Sequence, residues 1–207
     1  MSRIVYLHGF ASGPGSKKAR FFRERFAELG MGLEVPDLAE GDFRRLTLSG
    51  QLNIIERLAR SQPVTLIGSS MGGYLAALYA ARHAEVERLV LMAPAFCFLQ
   101  RWISTIGPAA LEEWRSSGAL DVFHYGEGRK VPLGYQLMED AEQYENYPDV
   151  RQPALIFHGK KDASVPLAYS EEFAKRHSTV KLRIMNSDHE LLNVLDDMWM
   201  ETREFLF

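Results

Sequence analysis

A serine flanked by glycines can act as a nucleophile when a strand delivers it and a helix carries the chain away. Gly68-Ser69-Ser70-Met71-Gly72 has that setting. The preceding run Val64-Thr65-Leu66-Ile67 is apolar and β-branched, as in a buried strand, and residues 73–81 after it have the composition of a buried helix. A sharp turn from strand to helix strains the central residue, Ser70, and lifts its Oγ clear of the sheet. A Cβ at Gly68 or Gly72 would collide with the neighbouring strand or helix. The competing reading is a glycine-rich turn between two core elements, and the flanking strand and helix weigh against it.

Such a serine needs a base, and the base needs an orienting acid. Downstream, the apolar run Ala154-Leu155-Ile156-Phe157 leads into His158-Gly159-Lys160-Lys161-Asp162. A last strand over 180–185 then leads into Asn186-Ser187-Asp188-His189. His189 is the candidate base and Asp162 the candidate acid, in the order Ser…Asp…His. Asp188 competes as the acid, but it adjoins His189 in sequence and is badly placed to reach that ring's Nδ1. His158 reads as a local hydrogen-bonding or packing residue, and His83, His124 and His177 lie in polar contexts expected to be exposed. Ser69 should point away from solvent, while Ser12 and Ser16 read as turn and helix-cap residues. Upstream, Ile4-Val5-Tyr6-Leu7 runs into His8-Gly9-Phe10. A loop of this kind offers one backbone N–H to an oxyanion, and the residue after the nucleophile offers another. Phe10 and Met71 are therefore the candidate oxyanion-hole donors, with His8 as a brace of its loop.

These loops require a parallel sheet to bring them together. The pattern predicts strands at 4–7, 33–35, 64–67, 88–92, 154–157 and 180–185. Helices are expected over 16–29, 46–60, 71–82, 168–176 and 190–206. Alternation of this kind means about six mostly parallel strands with helices on both faces, an α/β architecture. In the first helix Ala19, Phe22, Phe26 and Leu29 share a face; in the last, Leu191, Leu195, Met198 and Trp199 do. Candidate nucleophile, acid, base and His8-Gly9-Phe10 all follow C-terminal strand ends, the edge where open α/β sheets bind ligands.

The opening Tyr6-Leu7-His8-Gly9-Phe10-Ala11-Ser12-Gly13-Pro14-Gly15-Ser16-Lys17-Lys18-Ala19, the turn Ile67-Gly68-Ser69-Ser70-Met71-Gly72-Gly73-Tyr74 and the closing Asp188-His189-Glu190 resemble the small bacterial esterases of the YqiA type. The resemblance implies a compact α/β-hydrolase fold and hydrolysis of carboxylic or thiol esters without a cofactor. It covers nearly the whole chain and is weakest over 94–147, and a shared fold does not carry the substrate with it.

The 207 residues suit one domain, and 46% hydrophobic content suffices for its core. The rhythm of strand and helix breaks over 94–148, which is read as a lid-like insertion. It contains a capped short helix near 107–114, a turn between extended pieces over 123–130, and a helix within 135–144. Its aromatic residues suggest an apolar wall for an acyl or aryl group, with Phe96 and Trp102 foremost because they follow closest after a strand end; ordinary packing is the competing reading. A net charge of −3 argues against a nucleic-acid surface. The single cysteine, Cys97, sits among apolar residues as an inert buried thiol would, and suits a cytoplasmic location. With the first strand pattern so near the start, no signal peptide is expected, and no apolar run long enough to span a membrane and no metal-ligand spacing is found in the sequence. The expectation is a cytoplasmic serine esterase or thioesterase with no metal or cofactor, acting on a small-molecule acyl substrate, with oligomeric state undetermined. A peptidase or amidase on the same residues, and a non-catalytic module on a hydrolase fold, are the alternatives.

Overall fold

The computed structural model describes residues 3–207. Along the chain run β1 (Arg3–Leu7), α1 (Lys17–Glu28), α2 (Leu48–Ala59), β2 (Val64–Ser69), α3 (Met71–Ala80) and β3 (Val86–Met92). Then come α4 (Phe98–Ile106), α5 (Pro108–Ser117), β4 (Ala119–His124), β5 (Arg129–Gly134) and α6 (Gln136–Ala141). The chain closes with β6 (Ala154–Gly159), α7 (Leu167–Arg176), β7 (Val180–Met185) and α8 (Leu195–Leu206).

The main sheet is parallel throughout, in the order β1-β2-β3-β6-β7. It has five strands rather than the expected six. Residues 33–35 contribute a single bridge: the Tyr6 N–H donates to Glu34 O (2.7 Å) and the Glu34 N–H to Ile4 O (3.0 Å). Pro36 follows at once and has no N–H with which to continue a ladder. From β1 the chain crosses to Glu34 on one side and returns to β2 on the other. The direction of winding thus reverses between β1 and β2, and ligands of open α/β sheets bind at the strand ends flanking such a reversal. Here those ends carry His8-Gly9-Phe10 and Ser69-Ser70-Met71.

Alternation along the strands divides the core into two layers. Val5, Leu7, Leu66, Leu89, Leu91 and Ile156 face the layer holding α2, α3 and Phe173 of α7. Ile4, Tyr6, Ile67, Val90, Leu155 and Phe157 face α1 and α8, where Phe26 meets Trp199 edge-on at 5.0 Å between centroids. Full burial of an aromatic such as Phe22 or Phe26 contributes about 1.5–3 kcal/mol. Ser16 caps α1 by accepting from the Ala19 N–H (3.3 Å). Leu29 falls beyond the last turn of α1 and is 43% exposed, so it does not share the buried face of Ala19, Phe22 and Phe26.

Within residues 94–148, the helix near 107–114 is α5 and the turn over 123–130 joins β4 to β5, an antiparallel hairpin separate from the main sheet. The helix within 135–144 is only α6. The sequence reading does not include α4, although Phe98, Trp102 and Ile106 recur there at helical spacing. Trp114, Leu133, Leu137 and Met138 join the same core layer as α2 and α3. Asp140 fastens α6 to α2 by accepting from the Ser49 N–H (2.8 Å) and hydroxyl (2.5 Å). No helix is long and apolar enough to cross a membrane among the described residues.

The turn after β2 is the tightest place in this sheet. A Cβ on Gly72 would lie 2.1 Å from Leu7 O and 2.6 Å from His8 O, and one on Gly68 would lie 2.3 Å from Gly72 O. Backbone atoms cannot give way as a flexible side chain can. Gly72→Ala is expected to cost at least the ~1–3 kcal/mol typical of overpacked core sites, read as a lowered urea midpoint. Gly13→Ala, where nothing lies within 4 Å, should stay within about 0.5 kcal/mol of the unaltered protein.

Candidate active site

Ser70 occupies the step from β2 to α3 with φ 53° and ψ −117°, a conformation that a residue with a Cβ adopts at a cost. Its N–H donates to Met92 O (2.8 Å), and its carbonyl accepts from the N–H groups of Gly73 (3.0 Å), Tyr74 (3.1 Å) and Ala95 (3.0 Å). The backbone is thereby held at both ends while the side chain faces the cleft. On the other side, Gly9 packs against Ser70: a Cβ at Gly9 would sit 3.5 Å from the Ser70 Cβ.

His189 reaches this serine from the loop after β7. Its Nε2 lies 3.1 Å from Ser70 Oγ and its Nδ1 2.7 Å from Asp162 Oδ2. The carboxylate fixes the tautomer, since Nδ1 must carry the proton to bond to it and Nε2 is left facing the hydroxyl. Asp162 follows β6, and its side chain is fully shielded from solvent. Its Oδ1 accepts from the Ser164 and Val165 N–H groups (both 2.8 Å). Its Oδ2 also receives His158 Nε2 at 3.2 Å. Burial by itself would raise the carboxyl's pKa; the bonds from His158, His189 and the Val165 N–H outweigh it and hold the pKa well below the usual carboxylate range.

Asp188 does a different job. Its Oδ1 accepts from the Glu190 (3.0 Å) and Leu191 (3.3 Å) N–H groups, shaping the turn that carries His189. That turn, with Leu191 at φ 58°, delays the closing helix to Leu195 after a short 3₁₀ turn, five residues later than expected.

Neither the Phe10 nor the Met71 N–H donates to a protein acceptor among the described residues. Both residues line an open cleft of about 1150 Å³ together with Ser70 and His189. His8 braces its loop: Nδ1 donates to Gly9 O (3.0 Å) and Nε2 accepts from the Leu38 N–H (3.2 Å). Trp102 lines the cleft and meets Phe10 edge-on at 5.0 Å. Phe96 does not line it. This residue is fully buried and stacks on Phe173 (4.2 Å); α4 swings Phe98 onto the cleft instead. His124 and His177 are buried, not exposed: His124 packs on Phe43, and His177 packs on Phe173 and bonds to its carbonyl.

His158 bonds and packs locally as expected, but its contact with Asp162 escaped the sequence reading, as did Lys18 and Arg101. His158 is fully buried, with Nε2 facing Val165 O (2.9 Å) and Asp162, and Nδ1 at 2.7 Å from Ser170 Oγ. The spacing His-x-x-x-Asp across the end of β6 was the available signal. Lys18 of α1 donates to Glu190 O (2.7 Å), and burial pushes its ammonium pKa down to about 8. Arg101 of α4 donates to Ser164 O (3.1 Å). Among the described residues no group of three or more His, Cys, Asp or Glu side chains is placed to hold a metal ion.

The profile of an uncharacterised protein family, UPF0227, matches residues 3–205. The chain belongs to that family. It is 27% identical over 154 residues to a pimeloyl-[acyl-carrier protein] methyl ester esterase of Aromatoleum aromaticum, a match covering 56% of this chain and 62% of that protein. The matched region is thus less than two thirds of that relative's length. The structure of mouse alpha/beta hydrolase domain-containing protein 10 superposes with a TM-score of 0.82 at 20% identity, over 98% of this chain and 88% of that one. Est1E from Butyrivibrio proteoclasticus gives 0.75 at 21% identity, over 99% and 88%. The fold is that of the α/β-hydrolases, as the resemblance to YqiA-type proteins implies.

A carboxyl pKa lowered in the folded state stabilises the protein above the unfolded pKa and loses that contribution as pH falls below it. Asp162→Asn should therefore lower the urea midpoint at pH 7, and the gap to the unaltered protein should narrow as the pH falls from about 4 toward 2. A gap that does not change over this range would mean that the carboxylate is not held ionised by its partners.

Proposed function

We propose that the protein is a serine hydrolase that cleaves carboxylic esters or thioesters through an acyl-enzyme, without a metal or cofactor. The observation that carries this reading is the line of hydrogen bonds from Ser70 Oγ through His189 to Asp162. Ser70 Oγ attacks the carbonyl carbon as His189 Nε2 takes its proton. Negative charge collects on the former carbonyl oxygen, and the unpartnered Phe10 and Met71 N–H groups are its donors; one such donor is worth roughly 3–4 kcal/mol in comparable enzymes. The leaving alkoxide or thiolate departs with the proton from His189, leaving the acyl group on Ser70. Water then gives its proton to His189 and attacks the acyl carbon, which releases the acid and restores Ser70. Asp162 keeps Nδ1 protonated and stabilises the imidazolium in both halves. The esterase among the relatives supports a substrate of this class.

Residues 94–148 act as the lid in this reading, and Phe10, Phe98, Trp102 and Ile106 form the apolar wall for the acyl chain. Cleavage of p-nitrophenyl esters but not of aminoacyl anilides would separate an esterase from an amidase on the same residues.

Ser70→Ala should abolish ester turnover with the fold intact by circular dichroism. Asp162→Asn should lower kcat by about 10⁴-fold, because the amide selects the wrong imidazole tautomer. Asp188→Asn should cost far less, and the reverse ranking would reassign the acid.

Trp102→Ala removes contact with the acyl chain and not with the reacting carbonyl. Its loss in kcat/KM should grow with chain length, by up to ~0.8 kcal/mol per methylene, and nearly vanish for acetyl esters. An equal loss at every length would take Trp102 out of the pocket.

A further inference from the structure

Three cations line the cleft that holds Ser70 and His189, and among the described residues none has a carboxylate within 4.0 Å; Lys17 is exposed, whereas Lys18 and Arg101 are partly buried. Arg101 spends one N–H on the Ser164 carbonyl, and its Nε is buried without any hydrogen-bond partner. Lys18 spends one N–H on the Glu190 carbonyl. Burial disfavours the charged form of both. Glu190, Asp188 and Asp162 favour the charge of Lys18 from a distance, as Asp162 does that of Arg101, but the hydrogen bonds of both cations go to backbone carbonyls, so each retains donors for a bound anion.

The carboxylates on the same cleft are engaged or turned to solvent. Asp37 accepts from the Ala39 and Gly41 N–H groups through its two oxygens, Glu127 is paired with Arg129, and Glu190 is exposed. Taking the cleft as the hydrolase site described above, we propose that it accepts esters whose leaving group carries an anion, a carboxylate or a phosphate, held by Arg101 and Lys18. The side follows from their anchors. Lys18 is tied to the residue after His189, and Arg101 to the loop that carries Asp162. In the proposed reaction His189 hands its proton to the leaving group, so that group lies toward these loops, while the acyl chain lies along Phe10, Phe98 and Trp102. Arg101 presents a planar fork suited to a carboxylate or phosphate, and Lys18 adds a point charge.

The test compares kcat/KM for 4-(butyryloxy)benzoate with that for its methyl ester, each divided by its rate with hydroxide to remove leaving-group chemistry. The anion should be preferred at least tenfold. Arg101→Met and Lys18→Met should each reduce that ratio at least fivefold, and Arg101→Lys should keep most of it. 4-(Butyryloxy)phenyl phosphate in place of the benzoate shows whether phosphate or carboxylate is favoured. A ratio near one, or a ratio that neither Met variant alters, overturns the proposal. A preference for phenyl hydrogen glutarate over phenyl butyrate, with none for the benzoate, overturns the assigned side. Binding of 4-hydroxybenzoate to the Ser70→Ala protein by calorimetry is independent of turnover. If it is weakened at least fivefold by adding Arg101→Met, the anion site stands even were the hydrolase reading to fail; no binding of 4-hydroxybenzoate or 4-hydroxyphenyl phosphate at millimolar concentration overturns it.

Discussion

Ser70 cannot take its conformation by preference. A non-glycine residue at φ 53° and ψ −117° lies outside the favoured regions, at a cost of about 1–3 kcal/mol, and persists only where its surroundings over-determine it. Here one bond to Met92 O and three bonds to the Ser70 carbonyl do so. Much of the site follows from that turn. Gly72 lets the start of α3 press against the end of β1, so the loop bearing Phe10 and the turn bearing Met71 lie on either side of one hydroxyl. The reversal of winding between β1 and β2 opens the crevice in which this occurs.

Charge is then set by Asp162. Its two oxygens take two backbone N–H groups and two imidazoles, which is why a shielded carboxyl remains ionised. His158 belongs to this arrangement although it is remote from the cleft. Its Nε2 faces only oxygens, so it carries a proton, and it meets the same Asp162 oxygen, Oδ2, that His189 uses. Removing one such partner leaves a buried acceptor or donor unmet, typically a loss of ~1–3 kcal/mol. Asp188, despite its position next to His189, is consumed by two backbone N–H groups and serves the turn.

What could be read in the sequence is what local pattern controls. A serine between glycines that no Cβ could replace, apolar runs that end at polar loops, and the order Ser70…Asp162…His189 all declare themselves one residue at a time. Contacts made through the third dimension do not. Phe96 and Phe98 are indistinguishable by composition, and only the left-handed Cys97 between them, with the start of α4, decides which ring turns to the cleft. Residues 33–35 have strand composition, yet Pro36 limits them to one bridge. Leu29 satisfies the helical period but stands at the C-cap of α1, where it is 43% exposed beside the α8 residues Met200 and Arg203. His177 looks solvated by its neighbours and is buried by Phe173, with the Val150 N–H facing its Nε2 at 3.4 Å.

The account turns on Ser70 being the reactive oxygen. Treatment with a fluorophosphonate, followed by intact mass and peptide mapping, tests this most directly. One adduct per chain is expected, on the peptide holding Ser70, absent from Ser70→Ala and strongly slowed in His189→Ala. An adduct on Ser69 or elsewhere, or equal labelling of Ser70→Ala, would contradict it.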